Sequence, residues 1–129
     1  MRSWLLLLLL ALGCGGDPPP QTEGAGGPSE EHKAQVRRFW ELYNRATSLR
    51  LQGQWEVAAA QYQEALALDP RHEDCLYYLG NAFFELGRFE EAAATWKRLI
   101  ETNPNQSSRA HAQLGMLYSC GAPGTPFDL

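Results

Sequence analysis

Residues 76–104 read LYYLGNAFFELGRFEEAAATWKRLIETNP, and residues 42–70 read LYNRATSLRLQGQWEVAAAQYQEALALDP. Set one above the other, Leu76 falls on Leu42, Gly87 on Gly53, Phe89 on Trp55, Ala92 on Ala58, Trp96 on Tyr62 and Pro104 on Pro70, each pair 34 residues apart. Self-similarity at that period marks a solenoid of helix–turn–helix units, each too small to bury its apolar side alone. Within a unit the apolar residues keep three- and four-residue spacing, the mark of a helix with one buried face. The glycine supplies the turn between the two helices. Asp69-Pro70 and Asn103-Pro104 end the second helix, because proline cannot continue the hydrogen-bond ladder and restricts the residue before it.

Working outward, Ser29 followed by Glu30 and Glu31 is a capped helix start whose acids suit the helix dipole. From there Val36, Phe39, Trp40, Tyr43, Ala46 and Leu49 carry the helical spacing to Gly53. Further helices are predicted over 54–68, 72–86 and 89–102. A third unit begins, with Leu114-Gly115 and Tyr118 answering Leu79-Gly80 and Phe83, but at 35 residues, so one residue is inserted near Ser107-Ser108. Cys120-Gly121-Ala122-Pro123-Gly124 then stands where the next turn belongs, and residues 125–129 cannot supply a second helix. The expected fold is all-α, about two and a half units stacked as a short solenoid over 29–121, with repeats at 39–72, 73–106 and a partial one at 107–121.

From Phe39 to Tyr118 the chain resembles the tetratricopeptide repeat family. Leu76, Leu79-Gly80, Phe83, Gly87, Phe89, Ala92, Trp96 and Pro104 stand at that family's signature positions, while Arg45 and Ala46 depart from its usual Leu-Gly, as terminal repeats often do. Gly80 and Ala92 let two antiparallel helices approach closely, with Phe83 and Trp96 filling the space beside them. Ala46, Ala58 and Tyr62 do the same in the first pair. The resemblance implies a concave groove lined by the first helix of each repeat. Carried over by position, that groove would present Tyr43, Thr47, Arg50, Tyr77, Asn81, Phe84, Arg109 and Met116 to a peptide. Asn81 stands where the family uses an amide to bond a peptide backbone, since an amide offers donor and acceptor together. Tyr43 and Thr47 replace the Lys and Asn with which chaperone-linked relatives bind a terminal carboxylate, so that ligand is not expected. The other reading of Tyr43, Tyr77 and Phe84 is as half-exposed spacers.

The N-terminus reads as an export signal over 1–13: Arg2, then an apolar run from Leu5 to Leu12 that is too short to span about 30 Å of hydrocarbon. Leu10-Ala11-Leu12-Gly13-Cys14 resembles the lipobox of bacterial lipoproteins, which implies a lipid on Cys14 and attachment to a membrane. Cleavage after Gly13 by an ordinary signal peptidase, leaving Cys14 a free thiol, is the alternative. Residues 14–28, rich in glycine and with three consecutive prolines, have too little apolar surface to offset their ordering entropy and read as a disordered tether. Residues 122–129 form a tail. No disulfide is expected between Cys75 and Cys120. They stand near opposite ends of equivalent, parallel helices, an offset on the order of 15 Å, whereas bridged Cα atoms lie under about 7 Å apart.

With 44% hydrophobic and 20% charged residues and a net charge of −4, the chain has a globular composition and lacks the basic block that gathers phosphates, so no nucleic-acid partner is expected. His32, His72 and His111 are far apart in the repeat register. Neither Cys75 nor Cys120 has a nearby histidine base, and no phosphate-binding glycine loop opens a helix. No enzyme activity, metal, cofactor or small-molecule substrate is expected; an enzyme built on Cys120 or His111 would rest on residue presence alone. The expectation is a non-enzymatic scaffold or adaptor that binds another protein or peptide, lipid-anchored in the bacterial envelope. The alternative is the N-terminal repeat portion of a longer exported protein whose activity lies downstream.

Overall fold

The structure, a computed structural model, describes residues 26–120. The leader, the tether up to residue 25, Cys14 and the tail lie outside them. Five α-helices follow one another: α1 Glu30–Leu51, α2 Trp55–Leu68, α3 Glu73–Glu85, α4 Phe89–Thr102 and α5 Ser108–Ser119, with a single 3₁₀ turn at Pro104–Gln106. Each helix packs on its neighbours in sequence. The described residues thus form the expected short helical solenoid.

The local chemistry accounts for each boundary. The Ser29 hydroxyl accepts from the His32 amide at 3.1 Å and caps α1. At the other end Gly53 takes φ +74°, and Gly87 repeats this value in the second unit. Both turns are Schellman caps: the Gln54 amide reaches Leu49 O at 2.9 Å and that of Gly53 reaches Arg50 O at 3.0 Å, with Arg88 to Phe83 O at 2.9 Å and Gly87 to Phe84 O at 3.0 Å one repeat later. Only glycine adopts that backbone without steric cost, which is why the two residues recur.

The inserted residue is absorbed between the second and third units. Asn103 to Ser107 forms the 3₁₀ turn and the cap of α5, where the first junction has only Pro70 and Arg71 between Asp69 and the His72 cap. The two proline corners are laced together: Arg71 Nη2 donates to Thr102 O at 2.9 Å, Asn103 Nδ2 to Arg71 O at 2.9 Å, and Arg98 Nη2 to Pro70 O at 2.8 Å. These bonds satisfy the Thr102 carbonyl at the end of α4 and the Pro70 and Arg71 carbonyls of the first corner.

The core repeats with the same period. Ala46, Ala58 and Tyr62 in the first unit, and Leu76, Gly80, Phe83, Ala92, Trp96 and Leu99 in the second, are all buried. An added Cβ on Gly80 would overlap the Trp96 indole, lying 2.5 Å from Cδ1 and 2.8 Å from Cε2. Val36 and Trp40, placed on the apolar face of α1 by their spacing, are instead 41% and 47% exposed. Val36 lies beside Leu68 and Asp69, where the 22-residue α1 runs past the end of the 14-residue α2, whereas Trp40, next to the buried Phe39, lies on the face of α1 turned towards Tyr43 and His72. Both thiols among the described residues are free, Cys75 buried and Cys120 exposed.

Candidate functional site

The residues expected to line a groove lie on α1, α3 and α5, the first helix of each unit. In the first unit this row is tied to the core. Tyr62 reaches from α2 with its hydroxyl 3.1 Å from Thr47 Oγ1 and accepts from Arg50 Nε at 3.3 Å. The Arg50 guanidinium lies over the Tyr78 ring, 4.2 Å from its centroid, and so joins two repeats. Thr47 and Arg50 are therefore held in place rather than free to sweep the groove. No carboxylate of the described residues pairs with Arg50 within salt-bridge distance.

In the second and third units Arg109 covers the Tyr77 ring at 4.3 Å, and its Nη2 lies 2.6 Å from Asp74 and 2.9 Å from Glu73. The hydrogen bond to Asp74, and then that to Glu73, holds its pKa above the ordinary arginine value. Its charge is thus spent on a repeat-to-repeat tie. Gln113 Nε2 donates to the Tyr77 hydroxyl at 3.2 Å. The rows follow the period: Arg109 lies 35 residues after Asp74, and Asp74 lies 34 after Trp40. Trp40 completes this row at the N-terminal rim, 5.5 Å from the Tyr43 ring and 5.8 Å from that of His72.

Burial raises three acids in this region. It pushes the Cys75 thiol, with help from Asp69 and Asp74, to about 12 from 9.0. Burial and the Asp74 carboxylate push Tyr43 to about 12 from 10.0, and burial also raises Tyr62. Each group holds its proton more tightly folded than unfolded. Its stabilising effect is complete below the unfolded pKa and is lost as pH rises towards the folded one. The thermal midpoint is expected to fall between pH 9 and 12, with Cys75 resisting alkylation by maleimide at neutral pH while Cys120 reacts. A midpoint flat across that window would contradict the burial of these groups.

Arg50, Trp55, Asn81, Phe84, Glu85, Gln113 and Met116 surround a recess of about 310 Å³. It gathers Arg50, Asn81, Phe84 and Met116 from the expected groove. Tyr43, Thr47, Tyr77 and Arg109 stand outside it. Trp55, Glu85 and Gln113 line it without having been expected. Trp55 reads as core because it matches Phe89, and Gln113 aligns with Tyr78 only once the inserted residue is counted. Within the concave face the Asn81 Oδ1 is buried and accepts no hydrogen bond. An orphan acceptor of this kind costs about 1–3 kcal/mol unless something answers it. A larger recess of about 440 Å³ between α2 and α4, lined by Leu66, Leu79, Phe83 and Arg98 among others, contains no such atom.

Among the described residues no cluster of His, Cys, Asp or Glu is placed to hold a metal ion, and no helix is long and apolar enough to cross a membrane. No curated protein matches the chain. The tetratricopeptide repeat model matches residues 43–107, from the first groove tyrosine to the buried cap of α5. That span contains both Schellman turns, both proline corners and the Gly80–Trp96 contact, and the chain belongs to the tetratricopeptide repeat family, whose repeats bind other proteins or peptides.

Proposed function

We propose that this chain is a non-enzymatic docking module, exported and held to a membrane by a lipid on Cys14, that takes an extended segment of another protein into its concave recess and acts as a scaffold or adaptor in the bacterial envelope. The observation that carries the binding half is the Asn81 Oδ1, buried without a partner beside apolar walls. Turned towards the recess, that amide oxygen can accept from a peptide N–H, while apolar side chains of the segment lie on Trp55, Phe84 and Met116. Arg50 and Glu85 on the same recess offer one charge of each sign to orient it. The leader and the tether that follows support export and anchoring.

Peptides selected from a displayed library against the whole chain test the binding half. Asn81→Ala is expected to weaken their binding at least tenfold while leaving thermal stability unchanged or slightly raised. Alanine is the better helix former and the variant removes an unsatisfied acceptor. Selected peptides indifferent to Asn81→Ala would place the binding surface elsewhere. For the anchor, the intact mass of protein extracted from its own membranes is expected to show Cys14 as the first residue carrying acyl chains; an unmodified Cys14 refutes it.

A further inference from the structure

Arg50 is a half-buried cation for which the described residues supply no anion. Its Nε donates to the Tyr62 hydroxyl at 3.3 Å, and its guanidinium lies over the Tyr78 ring, 4.2 Å from the centroid. Among the described residues nothing accepts from either Nη. The other guanidiniums that the fold engages are answered: Arg38, Arg88 and Arg109 by carboxylates, Arg71 and Arg98 by backbone carbonyls. Taking a charge out of water without a counter-charge is unfavourable, so a fixed, half-buried guanidinium with idle donors calls for an acceptor.

The fold itself does not require a cation there. The equivalent residues are Phe84 in the second unit, 34 residues on, and Ser119 in the third, 35 after that. The Tyr62 hydroxyl already has Thr47 Oγ1 at 3.1 Å. A place in the last turn of α1 suits a positive charge beside the helix dipole, but a lysine would serve there equally well. What arginine adds is a planar fork. With Nε held by Tyr62 and one face on Tyr78, the edge carrying both Nη atoms remains, and that edge takes a carboxylate through two parallel hydrogen bonds.

We infer that the segment of another protein taken into the concave recess carries an internal aspartate or glutamate whose carboxylate pairs with Arg50. The inference rests on the reading of that recess as a peptide site and names the chemistry it selects: Asn81 takes the backbone and Arg50 chooses the side chain. Both line the same recess, together with Trp55, Phe84 and Met116. Glu85 lines it too, and no described cation lies within salt-bridge distance of it. Its charge repels a second acid, so the segment carries a single acid among apolar residues and not an acidic run.

Peptides selected from a library against the whole chain are synthesised with acetylated and amidated ends, so that no terminal carboxylate takes part, and fluorescence anisotropy reads their affinity. They are expected to share an internal acid whose replacement by its amide weakens binding about tenfold or more. Arg50→Gln is expected to cost the acidic peptide the same factor and to leave the amide form unchanged, which also shows that the variant is folded. Arg50→Lys, which keeps the charge without the fork, gives an intermediate loss. Peptides that need Asn81 but bind equally well as acid and amide overturn the proposal and leave the reading of the recess standing. Peptides indifferent to both Asn81→Ala and Arg50→Gln overturn both. Acidic peptides that bind only after residues 121–129 are removed, or only once Asp128→Asn is made, assign the carboxylate to the chain's own tail and overturn its assignment to another protein.

Discussion

Gly80→Ala is expected to lower the thermal midpoint by about 5–15 °C, whereas Gly115→Ala, the same change at the equivalent position one repeat later, raises it by a few degrees. At Gly80 the new methyl lies inside the van der Waals envelope of the Trp96 ring, at 2.5 Å from Cδ1 and 2.8 Å from Cε2. The indole cannot swing away cheaply, because it is fully buried and its Nε1 donates to Tyr77 O at 3.4 Å. Overpacking of this kind costs about 1–3 kcal/mol, against which the reduced entropy of the unfolded chain returns about 0.4–1 kcal/mol. At Gly115 only the second term operates, since none of the described residues comes within 4 Å of the added Cβ. Far-UV circular dichroism melts of the two variants decide the matter. A loss at Gly115 matching that at Gly80 would mean that the glycine signature protects helix geometry in general and not one contact.

A larger loss is expected from Trp96→Ala, about 3–5 kcal/mol, the range for deleting a buried large aromatic. That is a large share of the stability of a small domain and leaves the second unit without its central side chain. The sharper test is the exchange of size partners. Gly80→Ala combined with Trp96→Tyr rebuilds in the second unit the pair that Ala46 and Tyr62 make in the first. The double variant is expected to be more stable than Gly80→Ala alone and to lie within about 1 kcal/mol of the parent, a coupling of about 1–2 kcal/mol between neighbouring sites. Denaturant melts of the two single variants and the double variant measure it. Additive losses would show that ring size and small-residue size are not matched.

The turns, corners and core were legible in the sequence because each follows from a property of one residue type repeated at one period. Glycine alone takes φ +74° without steric cost, proline cannot continue the helix before it, and Trp96 and Tyr62 recur where a helix pair must be filled. The groove was legible only in part. Its residues were assigned by register, and register says which side of a helix a residue is on but not what it bonds. Arg109 was assigned to the groove by register, but the acids at 73 and 74 occupy it. Thr47 and Arg50 are tied to Tyr62. Trp40, on the same row as Arg109, was missed as a rim residue because its spacing also fits a buried stripe.

By itself, then, the sequence determined the number and order of helices, where each begins and ends, and which side chains fill each pair, since these depend on backbone preference and burial within a span of about 34 residues. Three things were decided only by the tertiary arrangement. The packing of α1 turns Phe39 into the core and leaves its neighbour Trp40 half exposed against Tyr43 and His72, although the helical spacing of both is apolar. The geometry between repeats leaves Asn81 Oδ1 buried with no acceptor bond while satisfying its polar neighbours. And the pairing of helices gives Gly80 a tryptophan to accommodate, while none of the described residues packs against Gly115. These are properties of distances between segments far apart in the chain, which a periodicity cannot encode.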